Sequence, residues 1–197
     1  MKKIFLPLLF TICVNHSFAQ DNTLINFAKK SAATDKTGMT VLGSWAAANI
    51  AVSAFALNTN NKTTHYYHQM NIMWNGFNLA LAGLGYIAAK KTTFTNISLA
   101  NVLQHQNKTE KTFLFNAGLD VAYVAGGAYL TQRGKIKTDP SKLTGYGNAI
   151  MVNGGFLLLF DAIMYALHNK QGKQLNSLIN KLQVNGTGGG VSMVYTF

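Results

Sequence analysis

Charge is what this chain most lacks. Only 12% of its 197 residues are Asp, Glu, Lys or Arg, about half the share of an ordinary soluble domain. With 48% apolar residues there is ample surface to bury, which excludes an intrinsically disordered protein. The length allows one ordinary domain and argues against a multidomain enzyme. Cysteine is scarce too. Cys13 is the only one, and it falls in a segment expected to be removed, so the mature chain has no disulfide, thiolate metal site or cysteine nucleophile. Enzyme signatures are missing: no G-x-S-x-G, H-E-x-x-H or phosphate-loop pattern occurs. The expectation is a protein that is not an enzyme, with no cofactor and no metal centre.

The first 20 residues have the order of an export signal. Lys2 and Lys3 precede an apolar run from Ile4 to Val14, and Ser17-Phe18-Ala19 forms a small-x-small cleavage site. The run is 11 residues long, too short to span a bilayer comfortably. A signal peptide over 1–19 is therefore expected, and with it a bacterial cell-envelope membrane as destination, inner or outer left open. Losing Lys2 and Lys3 takes 17 basic residues to 15, against 6 acidic ones, for a net charge of +9. All but Arg133 are Lys, placed in loops and ends without interleaved aromatic residues. That pattern suits anionic lipid headgroups rather than nucleic acid.

Four apolar segments follow: Met39–Leu57, Asn71–Ala89, Phe113–Thr131 and Ala149–Leu167. Each has 19 residues and none contains Lys, Arg or Glu. As helices they are about 28 Å long, close to the hydrocarbon thickness of a bilayer. Their many Gly and Ala residues suit closely packed membrane helices. The expected fold is all-α, an integral membrane up-down four-helix bundle over residues 20–170, followed by a polar, Gly-rich tail over 171–197. Ser98–Thr112 reads as a helix lying at the interface ahead of the third span. A homo-oligomer is compatible with this architecture.

The polar residues within the spans recur at helical spacing. Trp45, Asn49 and Ser53 share a face of the first span, and Asn71, Asn75 and Asn78 share one of the second. The third carries Asn116, Asp120 and Tyr123, and the fourth Asn153, Asp161 and Tyr165. In lipid such faces turn inward and form a polar seam. Antiparallel threading puts Asp120 and Asp161 at similar depth, with Trp45 in their layer. Asn49 and Asn78 fall one layer deeper, and Asn75 and Asn153 form a third. Two carboxylates in low dielectric without a cation in the spans must be neutralised by protons, share one proton or hold a bound cation. Asp120 and Asp161 are thus the candidate proton or cation site of a small transporter or channel-like protein. The alternative is a non-catalytic envelope scaffold or assembly protein, where the same groups only hydrogen-bond helices together.

Other features are weaker. His65 and His68 lie near Tyr66 and Tyr67 and read as an interfacial belt rather than a metal site. Met73-Trp-Asn-Gly-Phe and Met151-Val-Asn-Gly-Gly both place Asn-Gly two residues after a Met, as a duplicated helical hairpin would. Thr144-Gly-Tyr-Gly matches part of a potassium-filter loop but lacks a pore-helix context. With an exported N-terminus, ten basic residues fall on the outer side and five on the cytoplasmic side, which inverts the positive-inside bias. The C-terminus, Val191-Ser-Met-Val-Tyr-Thr-Phe197, alternates like the closing strand of an outer-membrane barrel. An eight-stranded β-barrel is accordingly the alternative fold.

Several strings resemble a family of uncharacterised small bacterial membrane proteins that carry a domain of unknown function. They are Trp45-Ala-Ala-Ala-Asn-Ile50, His68-Gln-Met-Asn71 with Trp74-Asn75 and Asn78, Asn116-Ala-Gly-Leu-Asp120, and Gly155-Phe with Asp161. The resemblance spans about residues 35–170. It implies several hydrophobic helices and membrane insertion, and no activity.

Overall fold

The computed structural model describes the backbone of residues 5–93, 97–180, 182–187 and 190–195, and the side chains of 22–93 and 97–177. Four long helices follow one another: α1 (Phe5–Ala56), α2 (Lys62–Lys91), α3 (Leu99–Lys135) and α4 (Ser141–Asn180). A two-stranded antiparallel hairpin closes the chain, β1 (Leu182–Thr187) with β2 (Gly190–Tyr195), Leu182 opposite Tyr195. The all-α four-helix expectation holds. Among the described residues strands are confined to this hairpin, so the barrel alternative is set aside and its supposed closing strand pairs only with β1.

Short polar residues start the helices. The Asn61 side chain accepts from Thr64 N at 3.1 Å and Ser98 Oγ from Asn101 N at 3.2 Å, each satisfying an orphan N–H of a first turn. Asp139 Oδ1 accepts from Ser141 N at 3.0 Å ahead of α4. Lys90 and Lys91 end α2, and Arg133 and Lys135 end α3, where positive charge meets the negative end of the helix dipole.

The chain runs up, down, up, down. Helix α3 packs along α4, α1 along α2, and α2 against α4, while α1 touches α4 over a shorter stretch. The α3–α4 seam advances by sevens. From Gln106 onward the buried positions of α3 are Gln106, Phe113, Asp120, Gly127 and Gly134, and Gly147, Gly154, Asp161, His168 and Leu175 recur alike on α4. A strict seven-residue repeat winds two helices into a left-handed pair. At Gly127 the backbones nearly touch: a Cβ there would stand 2.6 Å from Gly147 O and 2.8 Å from Met151 N. Gly145, in the Thr144-Gly-Tyr-Gly string, gives α2 the same close access, since a Cβ on it would meet Thr63 O at 2.5 Å.

Polarity is inverted relative to a water-soluble bundle. Phe55 is 91% exposed and Phe77 71%, whereas Asn75 and Asn153 are fully buried. All four helices are long and apolar enough to cross a membrane. They also outrun the 19-residue spans expected from hydropathy. Residues 99–112 are the first turns of α3 rather than a separate interfacial helix, because Val102 packs with Leu24 and Leu175 in a second small core. Helix α4 continues past residue 171, where a tail was expected, with Gln171 and Leu175 buried on its inner face. Helix α1 passes without a break through Ala19, the expected cleavage point.

Candidate functional site

The interior polar groups fall into three stations along α4, at Asn153, Asp161 and His168. Spacings of eight and seven residues set them about 12 and 10 Å apart on one face.

The first station ties α1, α2 and α4 together through amides. Asn75 Nδ2 donates to Asn153 Oδ1 at 2.8 Å, and Asn153 Nδ2 donates to Asn71 Oδ1 at 2.6 Å. Asn71 Nδ2 in turn donates to Ser53 Oγ at 2.8 Å and to Asn49 Oδ1 at 3.2 Å. His68 Nδ1 lies 3.1 Å from the same Ser53 hydroxyl. His68 therefore joins the interior network instead of an interfacial belt, while His65 Nδ1 sits 2.9 Å from Leu57 O at the helix end. The asparagines of the two matching Asn-Gly pairs of the sequence, Asn75 and Asn153, bond each other here. Asn49 pairs with Asn71 rather than sharing a layer with Asn78, because the α1–α2 antiparallel register sets Ser53 beside His68 and Asn71.

At the second station the Asp120 and Asp161 carboxyls meet across the α3–α4 seam, with the Asn116 side chain on Asp161. Both residues are almost completely buried. Two carboxyls in direct contact repel unless a proton or cation lies between them, and a shared proton turns the contact into a hydrogen bond. Between the first station and this one, buried polar atoms stand without a hydrogen-bond partner among the described residues: Asn75 Oδ1 at the first station, Trp45 Nε1 and Asn78 Nδ2 toward the second, and Asp120 Oδ2 in it. Unpaired buried atoms of both donor and acceptor type are what internal water needs. Trp45 itself stacks flat on Phe156, ring centroids 4.0 Å apart.

The third station was not expected from the sequence. His168 is wholly buried, its Nε2 lies 2.9 Å from Asp35 Oδ1, and its ring stacks on Phe113 at 5.5 Å. Gln106 Nε2 donates to His168 O at 2.6 Å and to Glu110 Oε1 at 2.7 Å. Between this station and the aspartates stand Phe113 and Met164, part of an apolar cluster that Leu42, Ala82 and Phe160 continue at the level of Asp161. The signal that marks His168 is its place seven residues after Asp161.

Two residues expected in the seam lie off it. Tyr123 is 38% exposed and meets Trp74 edge-on at 4.9 Å, falling between Asp120 and Gly127, the successive buried positions of α3. Tyr165 packs against the apolar cluster, four residues past Asp161. Among the described residues no three His, Cys, Asp or Glu side chains gather into a metal-binding cluster.

No curated protein and no solved structure matches the chain. A family of unknown function, DUF6992, matches residues 41–162, a stretch that holds the amide station and both aspartates and stops short of His168. With more than half its length matched, the chain belongs to the DUF6992 family.

Proposed function

We propose that this chain is an exported, non-enzymatic membrane protein of a bacterial cell envelope. In this reading it is a small transporter or channel-like protein whose Asp120–Asp161 pair is a proton or cation site. One observation carries the reading: two carboxyls touch on the inner face of helices whose outer faces are apolar. Acidic groups at such depth are costly, and where they occur they mark ion or proton paths. The pair binds a proton between its oxygens, and the unpaired atoms of Trp45, Asn75 and Asn78 bring water to it from the amide station. The apolar cluster around Phe113 closes the other side. Membrane lipids are the partners this reading expects, and it needs no cofactor.

A scaffold or assembly role is the second reading. The amide station favours it, since Asn71, Asn75 and Asn153 bond one another and hold three helices without a ligand. The Asp120→Asn/Asp161→Asn double variant separates the two. Protein reconstituted in liposomes around a pH-sensitive dye is given a pH or potassium gradient. The transporter reading expects flux above protein-free liposomes, at least a tenfold loss in the double variant, and an unfolding midpoint near wild type. Equal flux in both proteins, or none in wild type, overturns it and leaves the scaffold.

A further inference from the structure

Two recesses flank α1 at the lysine-rich end of the bundle. One is an apolar groove of about 530 Å³ between α1 and α4, walled by Val41, Phe156, Leu159 and Ile163, with Lys30 and Thr34 at its upper end. The other, of about 410 Å³, lies between α1 and α2 and is lined by Lys29, Lys36, Lys90, Thr40 and Tyr86. They share Ala33 and Thr37, so only two small side chains separate a cationic recess from an apolar one. We infer that together they bind one anionic phospholipid, its phosphate among Lys29, Lys36 and Lys90 and one acyl chain along the α1–α4 groove.

Charge supports this occupant. Nine described lysines stand at this end of the four helices, and the acidic residues beside them whose side chains are described are already engaged: Asp35 faces His168, and Glu110 holds Gln106 and Asn169. Among the described residues the one lysine–carboxylate pair is Lys62 with Asp139, at the opposite end. Lys36 Nζ is held 5.6 Å over the Tyr86 ring, inside the recess. Uncompensated lysines at the edge of apolar helices attract anionic headgroups.

Shape supports it as well. Helix α1 leans on α2, leaving Leu159 and Ile163 of α4 exposed along the groove. From Leu167 to Phe156 the α4 wall is about 16 Å long, the hydrocarbon depth of one leaflet, which is about 15 Å. Polar residues at the upper end and apolar ones below repeat the order of a phospholipid entering from the interface.

This inference shares membrane insertion with the reading above but not the role of the aspartates. Its test is native mass spectrometry of the detergent-purified protein, titrated with phosphatidylglycerol or with phosphatidylcholine of the same chains. The wild type is expected to favour phosphatidylglycerol at least tenfold. At roughly fivefold per lysine near an anionic lipid, Lys29→Gln/Lys36→Gln/Lys90→Gln loses on the order of 100-fold. The matched control Lys135→Gln/Lys137→Gln/Lys142→Gln, at the opposite end, stays within about threefold, and Thr37→Trp, which blocks the shared ridge, loses binding with all lysines in place. All these positions except the groove floor are exposed, and circular dichroism checks that each variant folds. Equal retention of phosphatidylcholine, equal loss in the control, full competition by inorganic phosphate, or a lipid-free dimer that closes the groove overturns the inference. Undiminished phosphatidylglycerol binding by Asp120→Asn/Asp161→Asn shows that the site stands whether or not the aspartates carry flux.

Discussion

Replacing Asn153 by Ala removes the central member of the amide station. Two interhelical hydrogen bonds go, the one accepted from Asn75 and the one donated to Asn71. Such bonds average about 0.6 kcal/mol inside membrane proteins and reach about 1.7. The groups left behind keep partners: Asn75 Nδ2 still donates to Asn71 O at 2.9 Å, and Asn71 Oδ1 still accepts from Asn75 at 3.0 Å. No full desolvation penalty is therefore incurred, and the expected loss is about 1–2 kcal/mol. The sharper quantity is the coupling in a double-mutant cycle, measured by reversible unfolding in mixed micelles. Asn153→Ala with Asn75→Ala is expected to couple by about 0.6–1.7 kcal/mol. Asn153→Ala with Asn78→Ala, a buried amide on the same helix without a bond to Asn153, adds within about 0.5 kcal/mol. If the Asn75 coupling is no larger than that of Asn78, the amides act by packing alone and the hydrogen-bond argument fails.

Further outcomes follow from particular contacts. Gly127→Ala drives a Cβ into the α4 backbone and costs about 1–3 kcal/mol, whereas Gly155→Ala, with open space around it, is neutral or gains up to about 1 kcal/mol in the same assay. His168→Ala removes a buried stacked ring and strands Asp35, for a loss of about 2–4 kcal/mol; His168→Phe recovers only the packing part. The backbone N–H of Ser141 holds the Asp139 carboxyl below its ordinary value of 3.8. Its stabilisation is thus present above that value and lost as pH falls through the lower native one. The melting-point difference between wild type and Asp139→Asn should vanish in acid, and a difference that grows there refutes the cap.

How much of this was legible depended on which force set each feature. Hydropathy located the apolar middle of each helix, and helical spacing with antiparallel threading brought Asp120 to Asp161 and Asn75 to Asn153. The same arithmetic misplaced Asn49, because it assumed equal helix ends, whereas α1 and α2 pair in a register set by Ser53, His68 and Asn71. The aqueous ends went unread. There lysines face outward while Asp35, Gln106 and Gln171 face inward, so average hydropathy falls although the helices continue. A seven-residue count carries through that change: Phe113, Asp120 and Gly127 on α3 and Asp161, His168 and Leu175 on α4 keep step across it. Tyr123 and Tyr165 were drawn in as polar residues near the stripe, but from Gln106 to Gly134 α3 buries only every seventh residue and Tyr123 falls between those positions, while Tyr165 packs on the apolar cluster.

The loop between α3 and α4 is five residues long, 136–140, and this bears on how the chain enters a bilayer. An Asp at the centre of a lone helix costs about 2.5–3.5 kcal/mol to insert, and α3 and α4 each carry one at matching depth. Delivered separately, both helices would bear that cost. Delivered as a hairpin, each carboxyl enters already facing the other and neither is turned to lipid. The unit of insertion is then the pair, which brings Asn153 to the amides and hydroxyls of α1 and α2.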